Sequence, residues 1–408
     1  MTDVLHFDVR CDTCGERAPS AAMRCPQCAG LLSFTYDTDR FEWDRRFRGV
    51  LRYWRLLPVA DPLQAVTLGE GATPLLRARD RARPDVYFKV ETGNPTGSHK
   101  DRQICVAMSH AAQLRAKVSA LVSSGSTGLS NAAYAARAGI RSVVCMTAGV
   151  PAERIYPVYA LGSEVVEVTG QVDELLDRVA RLTGELGVYH TSTARYCNPY
   201  QAEGAKTITY EIVEELGRPP DWVVVPAGGG GTLAAVARGF AELRAIGMID
   251  RVPRMVGAVP ARYDALLRAR EQGLHSQDEL ERLPDRTGPA VSIQAKLAHV
   301  HPPDGADALA AVDATDGLFI AVSDRDALAA QARLGATEGI YVEPSTGTGV
   351  AALGELLAGG DVGSADTVVV VLCGSGFRET QLTMDHRPLT PTVADDDGLR
   401  RLLEGLSE

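Results

Sequence analysis

Lys100 stands in the stretch ETGNPTGSHKDRQ, residues 91–103, a glycine- and proline-punctuated turn behind the apolar run Val86-Tyr87-Phe88. A lysine is ordinarily a solvated cation, and one set between Gly97-Ser98-His99 and Asp101-Arg102 is a candidate for chemistry by its amine. Such an amine can join a carbonyl cofactor such as pyridoxal phosphate, be displaced by a substrate amine, and then move a Cα proton as a base. Gly-Ser-Xaa-Lys also occurs in phosphate loops and in plain turns, so the motif alone leaves these readings open.

Three further turns carry groups of the right kind. Gly228-Gly229-Gly230-Gly231-Thr232 lies between an apolar run and a helix start. Glycines remove Cβ atoms, so several backbone N–H groups can point at one anion, and the helix N-terminus adds partial positive charge. The loop lacks the lysine and hydroxyl residue of a nucleotide P-loop and the GxGxxG of dinucleotide folds, which favours a small phosphorylated cofactor. A close-packing turn is the bland alternative. Ser123-Ser124-Gly125-Ser126-Thr127-Gly128 offers hydroxyls and N–H groups at a helix start, suited to an amino-acid carboxylate. Cys373-Gly374-Ser375-Gly376 is the last of the set.

A separate group is made for metal. Cys11, Cys14, Cys25 and Cys28 form two Cys-x-x-Cys turns flanked by Gly15 and Gly30. Paired thiolates at this spacing suit tetrahedral structural zinc, and so short a segment with little apolar content lacks a core of its own. Disulfides are the alternative; the paired spacing favours zinc, and four like ligands leave no open position for catalysis.

These groups act together only if the elements bring them to one place. Beyond residue 80, β-branched runs alternate with alanine-rich helical patterns, the mark of parallel sheets with helices on their faces. Strands are expected at 86–90, 120–124, 142–147, 164–168, 222–225, 254–259, 318–322 and 367–372, and amphipathic helices at 131–137 and 172–186. Residues 271–298 are polar and irregular, a surface excursion or a loop over a site; 390–397 reads as a linker before a short final helix. Sites in such folds gather at the carboxyl ends of strands, where the lysine turn, the serine turn, the tetraglycine and the Cys373 turn all fall.

The 408 residues, 45% hydrophobic, can bury a sizeable core and suggest more than one domain. Met1-Thr2-Asp3 is not the start of a secretory signal and no apolar run approaches membrane length, so a cytoplasmic protein with no membrane partner is expected. The net charge of -10 argues against nucleic acid. The arginines at 45, 46, 48, 52 and 55 read better as a solvated face than as a basic patch.

In order along the chain, the four-cysteine segment, Gly69-Glu70-Gly71-Ala72-Thr73-Pro74-Leu75, the Lys100 turn, the serine turn, Asn198-Pro199-Tyr200, the tetraglycine, Glu343-Pro344-Ser345 and the Cys373 turn resemble the threonine synthases of the tryptophan-synthase-like, fold type II pyridoxal-phosphate enzymes. The resemblance covers nearly the whole chain. It implies an α/β protein with two doubly wound parallel-sheet domains of the tryptophan synthase β-like fold and an N-terminal zinc ribbon. The domains would be 5–40 for the ribbon, 45–115 with 200–390 for the larger cofactor-binding domain, 116–199 for the smaller domain, and 391–408 for a tail helix.

The resemblance further implies a catalytic Lys100 that carries pyridoxal phosphate, with Ser126, Gly228, Gly229, Gly230, Gly231, Thr232 and Cys373 around the cofactor. Ser123, Ser124 and Thr127 would meet the substrate carboxylate, and Arg195, Asn198 and Gln201 would bind the rest of the substrate. Four residues depart from the family pattern: Ser126 stands for asparagine, Gln201 for arginine, Cys373 for threonine and His99 for phenylalanine. The implied activity is a lyase acting on an amino acid with a β- or γ-leaving group, nearest to conversion of O-phosphohomoserine to threonine and phosphate. A paralogue performing β-replacement or β-elimination, like cysteate synthase or the serine/threonine dehydratases, is the alternative. A noncatalytic sensor of amino acid or cofactor is the reading from another class. The expected partner is a small amino acid, with a homodimer left open.

Overall fold

The computed structural model describes residues 5–38, 41–80, 84–123, 125–170, 172–288, 292–380 and 395–405. The chain opens with an antiparallel pair, β1 (Phe7–Cys11) and β2 (Leu32–Tyr36). It continues as β3 (Leu75–Arg77) and β4 (Asp85–Lys89), then crosses into β5 (Val118–Val122), β6 (Arg141–Thr147), β7 (Glu164–Val168) and the short β8 (Tyr189–His190). It returns as β9 (Trp222–Pro226), β10 (Arg254–Pro260), β11 (Leu318–Val322) and β12 (Thr367–Val371). Two parallel arrays result. One is a four-stranded sheet in the order β7-β6-β5-β8; the other is six-stranded, β11-β10-β9-β12-β4-β3, with only β3 antiparallel to its neighbour.

Helices connect the strands. The first half holds α1 (Lys100–Gln113), α2 (Ser126–Ala138), α3 (Ala152–Ala160) and α4 (Val172–Leu186). Then come α5 (Pro199–Ala205), α6 (Thr207–Leu216), α7 (Gly231–Ala245), α8 (Ala265–Glu271) and α9 (Gln277–Glu281). The last are α10 (Gly305–Ala314), α11 (Asp324–Glu338), α12 (Pro344–Ala358) and α13 (Asp396–Gly405).

The central strands are buried on both faces, which is why they read as unbroken apolar runs. Val223, Val225, Val369 and Val371 pack with Leu233, Phe240, Leu309 and Val312 on one side of the large sheet. Their neighbours Val224, Val368 and Val370 pack with Leu334, Val350, Leu353 and Leu356 on the other. The period-two alternation of a strand divides these residues between α7 and α10 on one face and α11 and α12 on the opposite face.

All eight expected strands are present within about two residues of the expected ends; the helix expected at 172–186 has those bounds, and the one expected at 131–137 lies within the longer α2, which begins five residues earlier. The irregular stretch 271–298 contains α9 and a 3-10 turn, Ala295–Leu297. The expected linker 390–397 lies mostly outside the described residues. Residues to Arg378 form one compact unit, and those from Glu379 onward a second, to which α13 belongs. Of the arginine cluster, Arg46 pairs with Asp44 and Arg52 with Glu214, so part of it is neutralised locally. No helix among the described residues is long and apolar enough to cross a membrane.

Candidate active site

Lys100 is the first residue of α1, reached from β4 by a turn that is held on several sides. The Asp101 carboxylate accepts from the Thr96 backbone N–H at 2.7 Å and from the Thr96 hydroxyl at 2.6 Å, which closes the turn on itself. Gly97, at φ +79°, accepts through its carbonyl from the Ser375 N–H at 2.9 Å. Arg102 is fully buried and forked between Glu91 (2.7 Å) and Glu211 (2.6 Å), so the residue two places beyond the lysine is an anchor. Removing one partner of such a buried pair strands a charge, at a cost of about 3 to 5 kcal/mol.

The amine enters a cavity of about 580 Å³ whose wall includes His99, Ser123, Ser126, Thr127, Gly228 to Thr232 and Cys373. The four motifs that the sequence places at strand ends therefore share one space. Ser124 lies outside the described residues. Burial pushes the Lys100 ammonium down to about 8, against the pull of Cys373, Asp304 and Glu343 toward the charged form. Roughly a tenth of this amine is then neutral at pH 7, far more than of a solvated lysine.

His99 turns into the site and is bonded at both nitrogens. Nδ1 faces the Cys373 carbonyl at 3.2 Å, so it carries the proton; Nε2 then accepts from the Thr232 hydroxyl at 3.1 Å. Burial, reinforced by the Lys100 charge, holds this imidazole well below its usual range and keeps it neutral. Cys373 is also neutral, because burial pushes its thiol up.

The serine turn works through its backbone as much as its hydroxyls. Ser123 Oγ accepts from Gly128 N–H at 2.8 Å and Gly125 N–H at 3.2 Å, which fixes the turn. Ser123 thus caps the third N–H of α2 in place of Gly125, which has no side chain, and the first residues of the helix, Ser126 and Thr127, face the cavity. Ser126 Oγ accepts from Arg378 at 3.1 Å, so its own proton is available for another acceptor.

The tetraglycine opens α7, and its lack of side chains has a visible cause. A Cβ on Gly228 would run into the Leu297 backbone, one on Gly229 would sit 3.1 Å from the Pro303 ring, and one on Gly231 would strike Asp304 Oδ2. Residues 297–304 thus lie against the loop, and the glycines leave its N–H groups clear. A phosphorylated carbonyl cofactor fits this set: an amine of lowered pKa, a helix N-terminus that faces the cavity and suits a carboxylate, and a side-chain-free cradle at a second helix N-terminus.

Three expected substrate contacts are placed elsewhere. Arg195 is ion-paired to Asp12 and to Asp307 (3.0 Å) and donates to Leu32 O and Ser33 Oγ. Asn198 caps α5 by accepting from the N–H groups of Tyr200 and Gln201. Gln201 is fully buried, donating to Thr193 O at 2.7 Å and accepting from Gln103 at 2.8 Å. None of the three lines the cavity, and each is engaged within the framework of the protein. Sequence reasoning missed Asp304, Lys296, His299 and Asp173, which do line it. Lys296 pairs with Glu343, and His299 Nδ1 meets Asp173 at 3.1 Å. The sequence signal at Pro302-Pro303-Asp304-Gly305 marks a helix start but nothing more.

In the amino-terminal segment the four sulfurs of Cys11, Cys14, Cys25 and Cys28 lie within 4.8 Å of one another, all as free thiols. Contacts of 3.5 to 3.6 Å between them are far longer than a disulfide. They approach the edge of a tetrahedron with metal–sulfur bonds of about 2.3 Å. Gly30 permits this, since a Cβ there would press on the sulfurs of Cys11 and Cys28.

Comparison with known proteins agrees with the geometry. Residues 66–374 match the family model described as pyridoxal-phosphate dependent enzyme. The threonine synthase of Methanocaldococcus jannaschii is 32% identical, over 97% of this chain and 99% of that one. The threonine synthase of Synechocystis sp. is 33% identical, over 90% and 89%. Among solved structures, a fungal L-serine ammonia-lyase from Rhizomucor miehei superposes with a TM-score of 0.64 at 20% identity, covering 76% of this chain and 95% of that one. At that identity the likeness establishes the fold.

Proposed function

Because the chain belongs to the pyridoxal-phosphate-dependent enzymes and is a threonine synthase-like lyase among them, we propose that it converts O-phosphohomoserine to threonine and phosphate. The observation that carries this reading is Lys100, an amine of lowered pKa, in one cavity with the tetraglycine at the start of α7. When bound, pyridoxal phosphate supplies the electron-withdrawing ring that acidifies the substrate Cα–H and lets the leaving group depart.

The chain's own residues do the rest. Gly228 to Thr232 would hold the phosphate at the α7 N-terminus, and the start of α2, with Ser123 and Thr127, would hold the substrate carboxylate. Lys100 Nζ removes the Cα proton and returns protons as the reaction proceeds. Cys373, a neutral thiol in the cavity wall, would give a cofactor ring nitrogen no strong proton-holding partner of the kind a carboxylate would be, which would temper the electron sink. Gln201 does not line the cavity but stands one hydrogen bond behind it, on the Thr193 carbonyl, so its lack of charge is no argument against a phosphorylated substrate.

The paralogue reading draws support from one contact. Glu343 pairs with Lys296 in the cavity wall and so weakens the pull of that lysine on a substrate phosphate. A panel of O-phosphohomoserine, O-phosphoserine, serine and threonine, read for phosphate and keto acid, tests both. Threonine and phosphate from the first substrate alone support the proposed reaction. Keto acid from serine or O-phosphoserine, with O-phosphohomoserine untouched, overturns it in favour of β-chemistry. No turnover by a protein that still binds the cofactor would point to a sensor.

The remaining assignments follow from the same reading. Cys11, Cys14, Cys25 and Cys28 hold structural zinc as a ribbon, and the two sheets are the cores of a larger cofactor-binding domain and a smaller one. Eight free cysteines suit a reducing, cytoplasmic location. The net charge suits a small amino acid rather than nucleic acid as partner.

A further inference from the structure

Asp304 is a carboxyl group at the phosphate cradle. It stands at the start of α10, yet its side chain does not cap that helix. Oδ1 accepts instead from the Arg195 backbone N–H at 2.7 Å. Oδ2 has no hydrogen-bond partner among the described residues and lies so near Gly231 that a Cβ there would clash with it. The residue is buried and lines the same cavity as Lys100 and the tetraglycine. Its backbone is tied to the loop as well, Asp304 N–H donating to the Gly229 carbonyl at 2.8 Å.

This placement is unusual for a phosphate site. A carboxylate beside the N-terminus of α7 is favourable while the helix has no other anion, because the terminus carries partial positive charge. A phosphate ester brings a further charge of about −1.5 to −2 to the same N–H groups. Two anions in hydrogen-bond range inside a buried site cannot both stay ionised at little cost, and the weaker acid takes a proton. Protonated, Oδ2 becomes an O–H donor, and a donor to a phosphate oxygen is a strong partner.

We propose that Asp304 is a ligand of the cofactor phosphate in its protonated form, so that cofactor binding draws one proton from solvent onto Oδ2. The inference rests on the reading of Gly228 to Thr232 as the phosphate cradle. The charged and titratable groups around Asp304 are Arg195, from the segment between β8 and α5, Asp307 on α10, and Lys100 on α1, with Cys197 beside them. Burial already raises the Asp304 carboxyl to about 7, Asp307 pushing the same way and Arg195 and Lys100 opposing. The group is therefore poised to take up a proton near neutrality.

The test uses the full-length apo-protein and pyridoxine 5′-phosphate, which keeps ring and phosphate but has no aldehyde to react with Lys100. Calorimetry at pH 8 in buffers of different ionisation enthalpy counts the protons taken up. The wild type is expected to take up close to one more proton than Asp304→Asn, and its affinity to fall about tenfold per pH unit above pH 8 while that of Asp304→Asn stays flatter. Lys100, His99 and Cys197 are the same in both proteins, so the difference belongs to Asp304. Equal uptake and parallel pH slopes overturn the proposal and leave the cradle intact. Should the variant fail to fold, the wild type decides alone: tight binding of pyridoxine 5′-phosphate with no proton uptake overturns the proposal. Binding no tighter than that of unphosphorylated pyridoxine would overturn the cradle itself, and the proposal with it.

Discussion

The Arg195 guanidinium is ion-paired to Asp12, the residue after the first cysteine of the amino-terminal cluster. The same arginine reaches Asp307 on α10 and, through its backbone N–H, holds Asp304 in the cavity wall. One residue thus joins the cysteine segment, the α10 start and the candidate active site. Arg195→Ala is expected to destabilise the protein by about 2 to 3 kcal/mol, because it strips two carboxylates and a buried carbonyl of their partner. Urea unfolding measures this loss. A change confined to KM, with stability untouched, would return Arg195 to the role of a substrate contact.

Lys100 titrates in a range that experiment can reach. Its value lies below that of a free lysine, so the ammonium form is lost through about pH 8 rather than above pH 10. Only the neutral amine attacks an aldehyde. Capture of unphosphorylated pyridoxal by the apo-protein should therefore quicken about tenfold per pH unit up to about pH 8 and level off beyond it, followed by absorbance. A rise that continues unchanged to pH 10 contradicts the buried environment. Lys100→Ala should show no capture at any pH.

The glycines of the cradle are unequal. Gly228→Ala drives a Cβ into the Leu297 backbone, which cannot rotate away, whereas Gly229→Ala meets the edge of the Pro303 ring at 3.1 Å. The first is expected to cost about 3 kcal/mol and the second about 1 kcal/mol, seen in thermal or urea unfolding of the apo-protein. Equal and negligible costs would mean that residues 297–304 do not rest on the loop.

The cysteine cluster makes a direct prediction about metal. Purified protein should carry one zinc per chain, and Cys11→Ser should lose it and unfold the amino-terminal segment first, since Cys11 and Cys25 are among the few buried groups there. Metal analysis with thiol counting decides the point, and a metal-free protein without free thiols in this segment would contradict it.

Much of this architecture was legible from the chain because parallel strands buried on both faces announce themselves as valine runs; Thr367–Val371 and Trp222–Pro226 have no other plausible use. The strands that escaped are short or local: β3 has three residues at an edge, and β8 has two. The same logic divides the site. Lys100, Cys373 and the tetraglycine sit at strand ends or helix starts, where topology dictates position. Lys296, His299 and Asp304 come from a segment with no periodicity, and only tertiary contact with Gly228 to Gly231 brings them to the cavity. Arg195, Asn198 and Gln201 differ in the opposite sense. The resemblance implies substrate contacts for them, while in the structure the side chain of each satisfies a buried partner in the protein itself.

The glycine loop and the stretch Leu297 to Asp304 are two walls of one room. They face the same cavity and press on each other where they meet. A wall braced in this way cannot shift without moving its neighbour. The width of the cavity at the glycines is therefore set jointly with a stretch of chain about seventy residues downstream, and any attempt to enlarge it would have to begin there rather than at the glycines.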